Sequence, residues 1–321
     1  MVTFLIKLIT GLIAVVLLLS AGMVAATWEP DRSVEELRER WAPPPSQFIE
    51  VGGQLVHLRD EGPRQDTTPI VLLHGTSASL HTWDGWVAEL SQTRRVIRFD
   101  LPGFGLTGPA ADGNYSLAAY VDFVIDVMDT LGIERFVLAG NSLGGSIAWR
   151  TTAAHPQRIE KLILVDSGGY PFEAESMPLA FVISQTPLLN RIMEFTLPRS
   201  AVESSVRDVY GDPSRVTPEL VDRYFDLSLR EGNRGALRER FAQLEYQDQS
   251  ALVQTIQQPT LVIWGAQDRL IPPSIARRFE QDLPNGQLVM FAELGHVPHE
   301  EAPTETVAAV TKFLRNINNL H

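Results

Sequence analysis

The sequence contains no cysteine. That excludes a disulfide framework, a thiolate nucleophile and a zinc-thiolate site, while an oxidising compartment remains permitted. Lys/Arg clusters interleaved with aromatics are missing too, and 39 acidic against 27 basic residues give a net charge of -12. No nucleic-acid partner is expected from such a balance; the acidic surface serves solubility. Nor is there an internal repeat or a low-complexity tract. With 321 residues and 44% apolar composition, the chain can bury a large core, as one domain or as one domain with an inserted subdomain.

Charge is also missing locally. Leu8 to Ala26 carries none, over about 19 positions, enough to cross a hydrocarbon core as a helix. Lys7 and the terminal amine precede this run, and Glu29, Asp31, Arg32, Glu35 and Glu36 follow it. Because positive charge tends to stay cytoplasmic, residues 1–27 predict a membrane anchor, a transmembrane helix with the catalytic body outside the cytoplasm. The alternative is a cleaved signal segment, with small residues at Val24 and Ala26, which leaves a secreted or periplasmic protein. Residues 28–47 follow as a linker: a short charged helix, Ser33 to Trp41, stopped by Pro43, Pro44 and Pro45.

The body begins near Phe48. FIEV and QLVHL flank Gly52 and Gly53, which suits a tight hairpin between two antiparallel strands. Short apolar runs then alternate with helical patterns: Ile70 to Leu73, Arg95 to Phe99, Phe136 to Ala139, Leu162 to Val165, Leu261 to Trp264 and Leu288 to Phe291. Between two of these, Leu117, Tyr120, Val121, Val124, Met128 and Leu131 fall at helical spacing, with Ser116 as N-cap and Gly132 as terminator. A last helix carries Val307, Val310, Phe313, Leu314 and Ile317. This alternation predicts an α/β fold with a doubly wound, mostly parallel sheet and a site at the C-terminal strand ends. It breaks once. Residues 170–246 read as helices without a buried strand, an inserted helical cap over a core made of 48–169 and 247–321. Phe172, Met177, Phe181, Leu188, Met193 and Phe195 in this insertion could line a substrate pocket, with Phe172, Met177 and Phe181 the chosen candidates.

The stretch around which the rest is organised is FVLAGNSLGGS, Phe136 to Ser146. A buried strand, then Gly140-x-Ser142-x-Gly144, then a helix is the pattern of a nucleophile elbow. The sharp turn pushes the serine oxygen clear of the backbone at the cost of strained dihedrals, and the following helix aims free amides at nearby negative charge. An activated serine needs a base and the base an orienting acid. His296, in ELGHVPHEEAP after the last strand, is the candidate base, with His299 as its neighbouring competitor. Asp268, in WGAQDRLIPP after the preceding strand, is the candidate acid. Asp166 is the alternative acid and Asp100 a weaker one. His74 reads as structural. For the oxyanion hole, the Leu143 N–H lies just after the nucleophile. Thr76 in HGTSAS supplies the second donor, with Ser77 as fallback.

Four motifs carry a resemblance over Phe48 to the C-terminus: HG at 74–75, DLPGFGLTG at 100–108, GNSLGG at 140–145, and WGAQDRLIP paired with GHVPHEEAP. Together they resemble the α/β-hydrolase superfamily, capped serine hydrolases. GNSLGG is also similar to the elbow of the C-C bond hydrolases that cleave meta-cleavage products. The resemblance implies Ser142 as nucleophile, Asp268 as acid, His296 as base, and Thr76 and Leu143 as oxyanion donors. Cleavage of a small or medium acyl ester through an acyl-enzyme is then expected, with no metal and no organic cofactor. A C-C bond hydrolase using the same residues is the alternative, and a catalytically inactive binding protein on the same fold is a third. The expected partners are a small, lipophilic substrate and, through residues 1–27, a membrane.

Overall fold

The computed structural model describes residues 2–186, 189–192, 194–244 and 248–315. Gly52 and Gly53 both take positive φ, 58° and 84°, as a two-residue hairpin turn requires. They join β1 (Gln47–Val51) to β2 (Gln54–Glu61), which pair antiparallel. Six strands follow: β3 (Ile70–Leu73), β4 (Val96–Phe99), β5 (Phe136–Asn141), β6 (Ile159–Val165), β7 (Thr260–Gly265) and β8 (Gly286–Phe291). Among the described residues the sheet order is β1-β2-β4-β3-β5-β6-β7-β8, with β2 antiparallel to β4 and every later pair parallel. So β1 takes the edge and β2 bridges it to the parallel strands.

Why both faces are covered follows from the period of two along each strand. Val71, Leu73, Leu138, Leu162, Leu164, Val262 and Trp264 point to one side. There they meet Tyr120 and Val124 of helix Leu117–Thr130, Ile147 and Trp149 of helix Leu143–Ala154, and Phe279 of helix Pro273–Asp282. The alternate residues, including Ile70, Leu72, Val137, Ala139, Ile163, Val165 and Ile263, meet Trp86 and Leu90 on the other side, along with Val310 and Phe313 of helix Pro303–Arg315. Ser116 caps its helix by accepting the Ala119 N–H at 3.2 Å, and Gly132 ends that helix at φ 67°.

Between β6 and β7 the described chain is helical, with Leu179–Gln185, Leu189–Ile192, Arg199–Asp208, Pro218–Ser228 and Asn233–Ala242 as its main segments. Leu188, Met193 and Tyr246 in this region, and Ile317 and His321 beyond residue 315, lie outside the described residues. Leu197, Val202, Val206, Val221 and Phe225 form a small core of the insertion, and Val297 of the body completes it.

One expectation for the N-terminus changes. Val2–Ala26 is one α-helix, but among the described residues no helix is long and apolar enough to cross a membrane, so a transmembrane helix is not supported. The side chains of residues 16–21 and 23, in the middle of the uncharged run, lie outside the described ones. The stretch 28–47, expected as a linker with a short charged helix, carries that helix as Val34–Trp41 and packs along the insertion. Trp28 stacks on Phe195 of the insertion at 5.5 Å. Arg32, Arg40 and the Trp41 Nε1–H all converge on Asp226, at 2.7, 3.1 and 3.0 Å, and Leu37 is buried against Leu106 and Leu227. Ser33 and Glu36 close a capping box at the start of helix Val34–Trp41.

Candidate active site

Ser142 stands between β5 and helix Leu143–Ala154 with φ 54° and ψ -112°. That region is costly for any residue with a Cβ. The turn is held from both sides: the Ser142 N–H donates to Val165 O at 3.1 Å, and the Ser146 N–H to Ser142 O at 3.0 Å. The glycines are required by space. A Cβ at Gly140 would sit 2.1 Å from Gly144 O, and one at Gly144 would sit 2.3 Å from Leu73 O.

His296 is brought to the same strand ends. Its Nδ1 lies 2.7 Å from Asp268 Oδ2. The other Asp268 oxygen accepts the N–H groups of Leu270 and Ile271 at 2.8 and 2.9 Å, which fixes the carboxylate. With Nδ1 engaged, Nε2 is the ring nitrogen left for the serine side. Ser142, His296, Thr76 and Ser77 line one cavity of about 120 Å³. Leu143 is buried at the first helical position, where its N–H has no intrahelical acceptor. Gly75 passes so close to the elbow that a Cβ there would be 2.8 Å from Asn141 Oδ1 and 3.2 Å from Ser142 Cβ; this carries Thr76 to the cavity wall.

The competitors have other partners. His299 is buried in ring contact with Trp83, with its Nε2 3.0 Å from Thr82 Oγ1. Asp100 binds His57 Nδ1 at 2.7 Å and accepts the amides of Leu80 and Leu106, holding two loops. His74 Nε2 accepts the Leu101 N–H at 2.9 Å, a structural bond as expected. Asp166 alone stays beside the pair of interest, buried and next to Asp268.

Burial holds His74, His81 and His299 neutral by lowering their pKa values, His81 to about 3. Asp100 is held low, against the effect of burial, by the charge of His57 and its hydrogen bond. In the unfolded chain those histidines would protonate near pH 6.5, so below that pH the unfolded state takes up protons that the folded state refuses. Asp100 acts with the same sign below its unfolded value. Asp166, whose pKa is raised, acts with the opposite sign. Stability is therefore expected to fall between pH 6.5 and 5, with His81 alone contributing about 2 kcal/mol. Urea midpoints measured at pH 7 and pH 5 check this.

Besides its lining by Ser142 and His296, the 120 Å³ cavity is walled by Leu197, Val202, Val206, Val209 and Leu237. A second chamber of about 310 Å³ also reaches Ser142 and Thr76, and holds Phe172, Met177 and Phe181. Phe181 faces both chambers, while Phe172 and Met177 are 40% and 42% exposed at the rim. Phe195 lines neither and packs on Trp28 instead.

The loop that carries His296 is tied to the insertion. Its N–H donates to Val209 O at 2.7 Å. Glu301 accepts three backbone N–H groups, from Gly295 at 2.8 Å and from Gly211 and Asp212 of the insertion at 3.0 and 2.8 Å. Glu300 meets the Arg223 guanidinium and accepts the hydroxyls of Tyr210 and Tyr224. Asn141 Nδ2 donates to His296 O at 3.0 Å and to Val165 O at 3.1 Å. Sequence reasoning did not assign these roles to Asn141, Glu300 and Glu301; nor did it find Val202 and Val206, although their spacing of four on helix Arg199–Asp208 marks an inward face.

The family model for the alpha/beta hydrolase fold matches residues 68–303. A 2-hydroxymuconate semialdehyde hydrolase of Pseudomonas putida is 30% identical over 296 residues, covering 86% of this chain and 99% of the relative. The chain belongs to the α/β-hydrolase family. Among solved structures, a meta-cleavage product hydrolase from Pseudomonas fluorescens IP01 is similar to this α/β-hydrolase at 26% identity, with TM-score 0.73 over 85% of this chain and 98% of that chain. An enol-lactonase from Burkholderia xenovorans LB400, at 24% identity and TM-score 0.71 over 84% and 99%, shares the fold. Like its named relatives, this α/β-hydrolase is a hydrolase.

Proposed function

We propose that this α/β-hydrolase cleaves small to medium carboxylic esters through an acyl-enzyme on Ser142. The observation that carries the reading is the His296–Asp268 hydrogen bond of 2.7 Å, with His296 and Ser142 on the wall of one apolar cavity. In this reaction Ser142 Oγ attacks the ester carbonyl carbon as His296 Nε2 takes its proton. The Thr76 and Leu143 N–H groups stabilise the tetrahedral oxyanion, each contributing about 3 kcal/mol. Collapse breaks the C–O bond and His296 returns the proton to the departing alcohol. Water, activated by the same ring, then releases the acid.

Leu197, Val202, Val206 and Val209 make the smaller chamber apolar, which suits an acyl chain. Its arginine, Arg234, is already bound to Asp31 at 2.6 Å. Hydrolysis of p-nitrophenyl esters of increasing acyl length is expected to peak at a short chain. Val206→Phe fills that chamber and is expected to move the optimum to a shorter chain. An optimum unchanged by the substitution would remove this chamber as the acyl site.

A second reading, C-C bond hydrolysis of a vinylogous diketone by the same residues, is favoured by the 30% identity to the 2-hydroxymuconate semialdehyde hydrolase. Turnover of dienoates with none of p-nitrophenyl esters would select it.

A further inference from the structure

Asp268 has a companion. Asp166 follows the last residue of β6 with φ 43°, a conformation that a residue with a Cβ holds only when its surroundings impose it. Its side chain is wholly buried. Oδ1 accepts the Gly265 N–H at 3.0 Å. A carboxyl oxygen of Asp166, one of Asp268 and a ring nitrogen of His296 all lie within 4.8 Å of one another. Asp268 already uses both oxygens, one on two backbone amides and the other on His296. Two carboxyl groups this close in a dry site do not both ionise. The proton belongs on Asp166: burial and then the Asp268 charge hold its carboxyl well above the usual range, and Glu301 adds to the effect. Asp166 Oδ2 has no hydrogen-bond donor facing it among the described residues, so a proton there is available to the Asp268 carboxylate.

We propose that Asp166 is a positioning residue of the relay, holding a proton toward Asp268 and able to replace it as the acid that orients His296. The inference rests on the reading of Ser142, His296 and Asp268 as a triad. While Asp268 is ionised, the Asp166 carboxyl donates to it and steadies it. When Asp268 is made neutral, the like charge that kept Asp166 protonated is gone. Asp166 then releases its proton to solvent and offers a carboxylate to the imidazole. The only bond broken is the Asp166 O–H, its electron pair stays on the carboxylate and its proton passes to water. The groups facing Asp166 are Asp268, His296 and Glu301, so its ionisation is set by them.

The test follows the rate at which a fluorophosphonate labels Ser142, from pH 5 to 9, in the full chain and in Asp166→Asn, Asp268→Asn and the double variant. Thermal unfolding confirms the fold of each, and Asp268→Ala serves if the Asn variant does not fold. Asp166→Asn keeps a donor toward Asp268 and is expected to slow labelling by less than about tenfold. Losing the triad acid outright costs about ten-thousandfold. Asp268→Asn is expected to lose much less than that and to gain a pH dependence at the acid end, where Asp166 now ionises. The double variant is expected to show the full loss without the new pH dependence. If Asp268→Asn alone shows the full loss and Asp166→Asn adds nothing, the proposal is overturned. Labelling without turnover of any ester would refute the ester reading and still decide the role of Asp166. Equal labelling of wild type and His296→Ala would refute the triad itself.

Discussion

Ser142→Ala is expected to fold as the parent does and to lose p-nitrophenyl ester hydrolysis by about a millionfold in kcat, the scale on which removal of a triad serine acts. The side chain contributes nothing to the core, since its hydroxyl faces a cavity that it shares with His296. Its backbone pays a conformational penalty at φ 54° that alanine pays equally. Stability should therefore hold while turnover vanishes. The variant is measured by thermal unfolding and by burst-phase kinetics, in which the burst expected of an acyl-enzyme on Ser142 should be lost. A variant that kept a tenth of the parental rate would exclude Ser142 from the reaction.

Glu300→Ala is expected to cost about 3–5 kcal/mol of stability, because it leaves the charge of Arg223 buried without its partner. The Arg223 and Glu300 side chains are 14% and 8% exposed, and the hydroxyls of Tyr210 and Tyr224, both bound to Glu300, lose their acceptor together. Burial and then Glu300 raise the pKa values of both tyrosines, so each stays a neutral donor. Urea unfolding of Glu300→Ala against Arg223→Met gives the comparison. Removing the arginine instead leaves a carboxylate that the two hydroxyls still satisfy in part, and the smaller loss is expected there. Equal losses would mean that the tyrosines add nothing to the anchor.

The sheet and the elbow were legible in the sequence because each has a local signature. Runs such as Ile70 to Leu73, apolar at every position and too short for a helix, have the form of strands covered on both faces, and the glycines at 140 and 144 announce a backbone too close to Leu73 and to itself for a Cβ. Asp268 and His296 could be placed because each follows a strand, so topology alone brings them to one edge. The rest depended on contacts distant in sequence. Nothing in residues 28–47 shows that Arg32, Arg40 and Trp41 share Asp226. Nothing near Glu301 shows that it gathers amides from Gly211, Asp212 and Gly295. The choice of His296 over His299 rested on Gly295, and the structure gives a second reason in the ring contact that His299 makes with Trp83.

That gathering of amides also constrains how the insertion can move. Gly211 and Gly295 are in backbone contact, since a Cβ on Gly295 would lie 2.5 Å from Gly211 N. The segment around Gly211 and the loop of His296 therefore cannot be displaced independently of one another, and the Glu175 and Ser176 N–H groups, both donating to Arg269 O at 2.9 and 3.0 Å, tie the start of the insertion to the body as well. Whatever shifts one end of the insertion is felt at once by the histidine, so the shape of the cavity and the setting of that ring are a single adjustment.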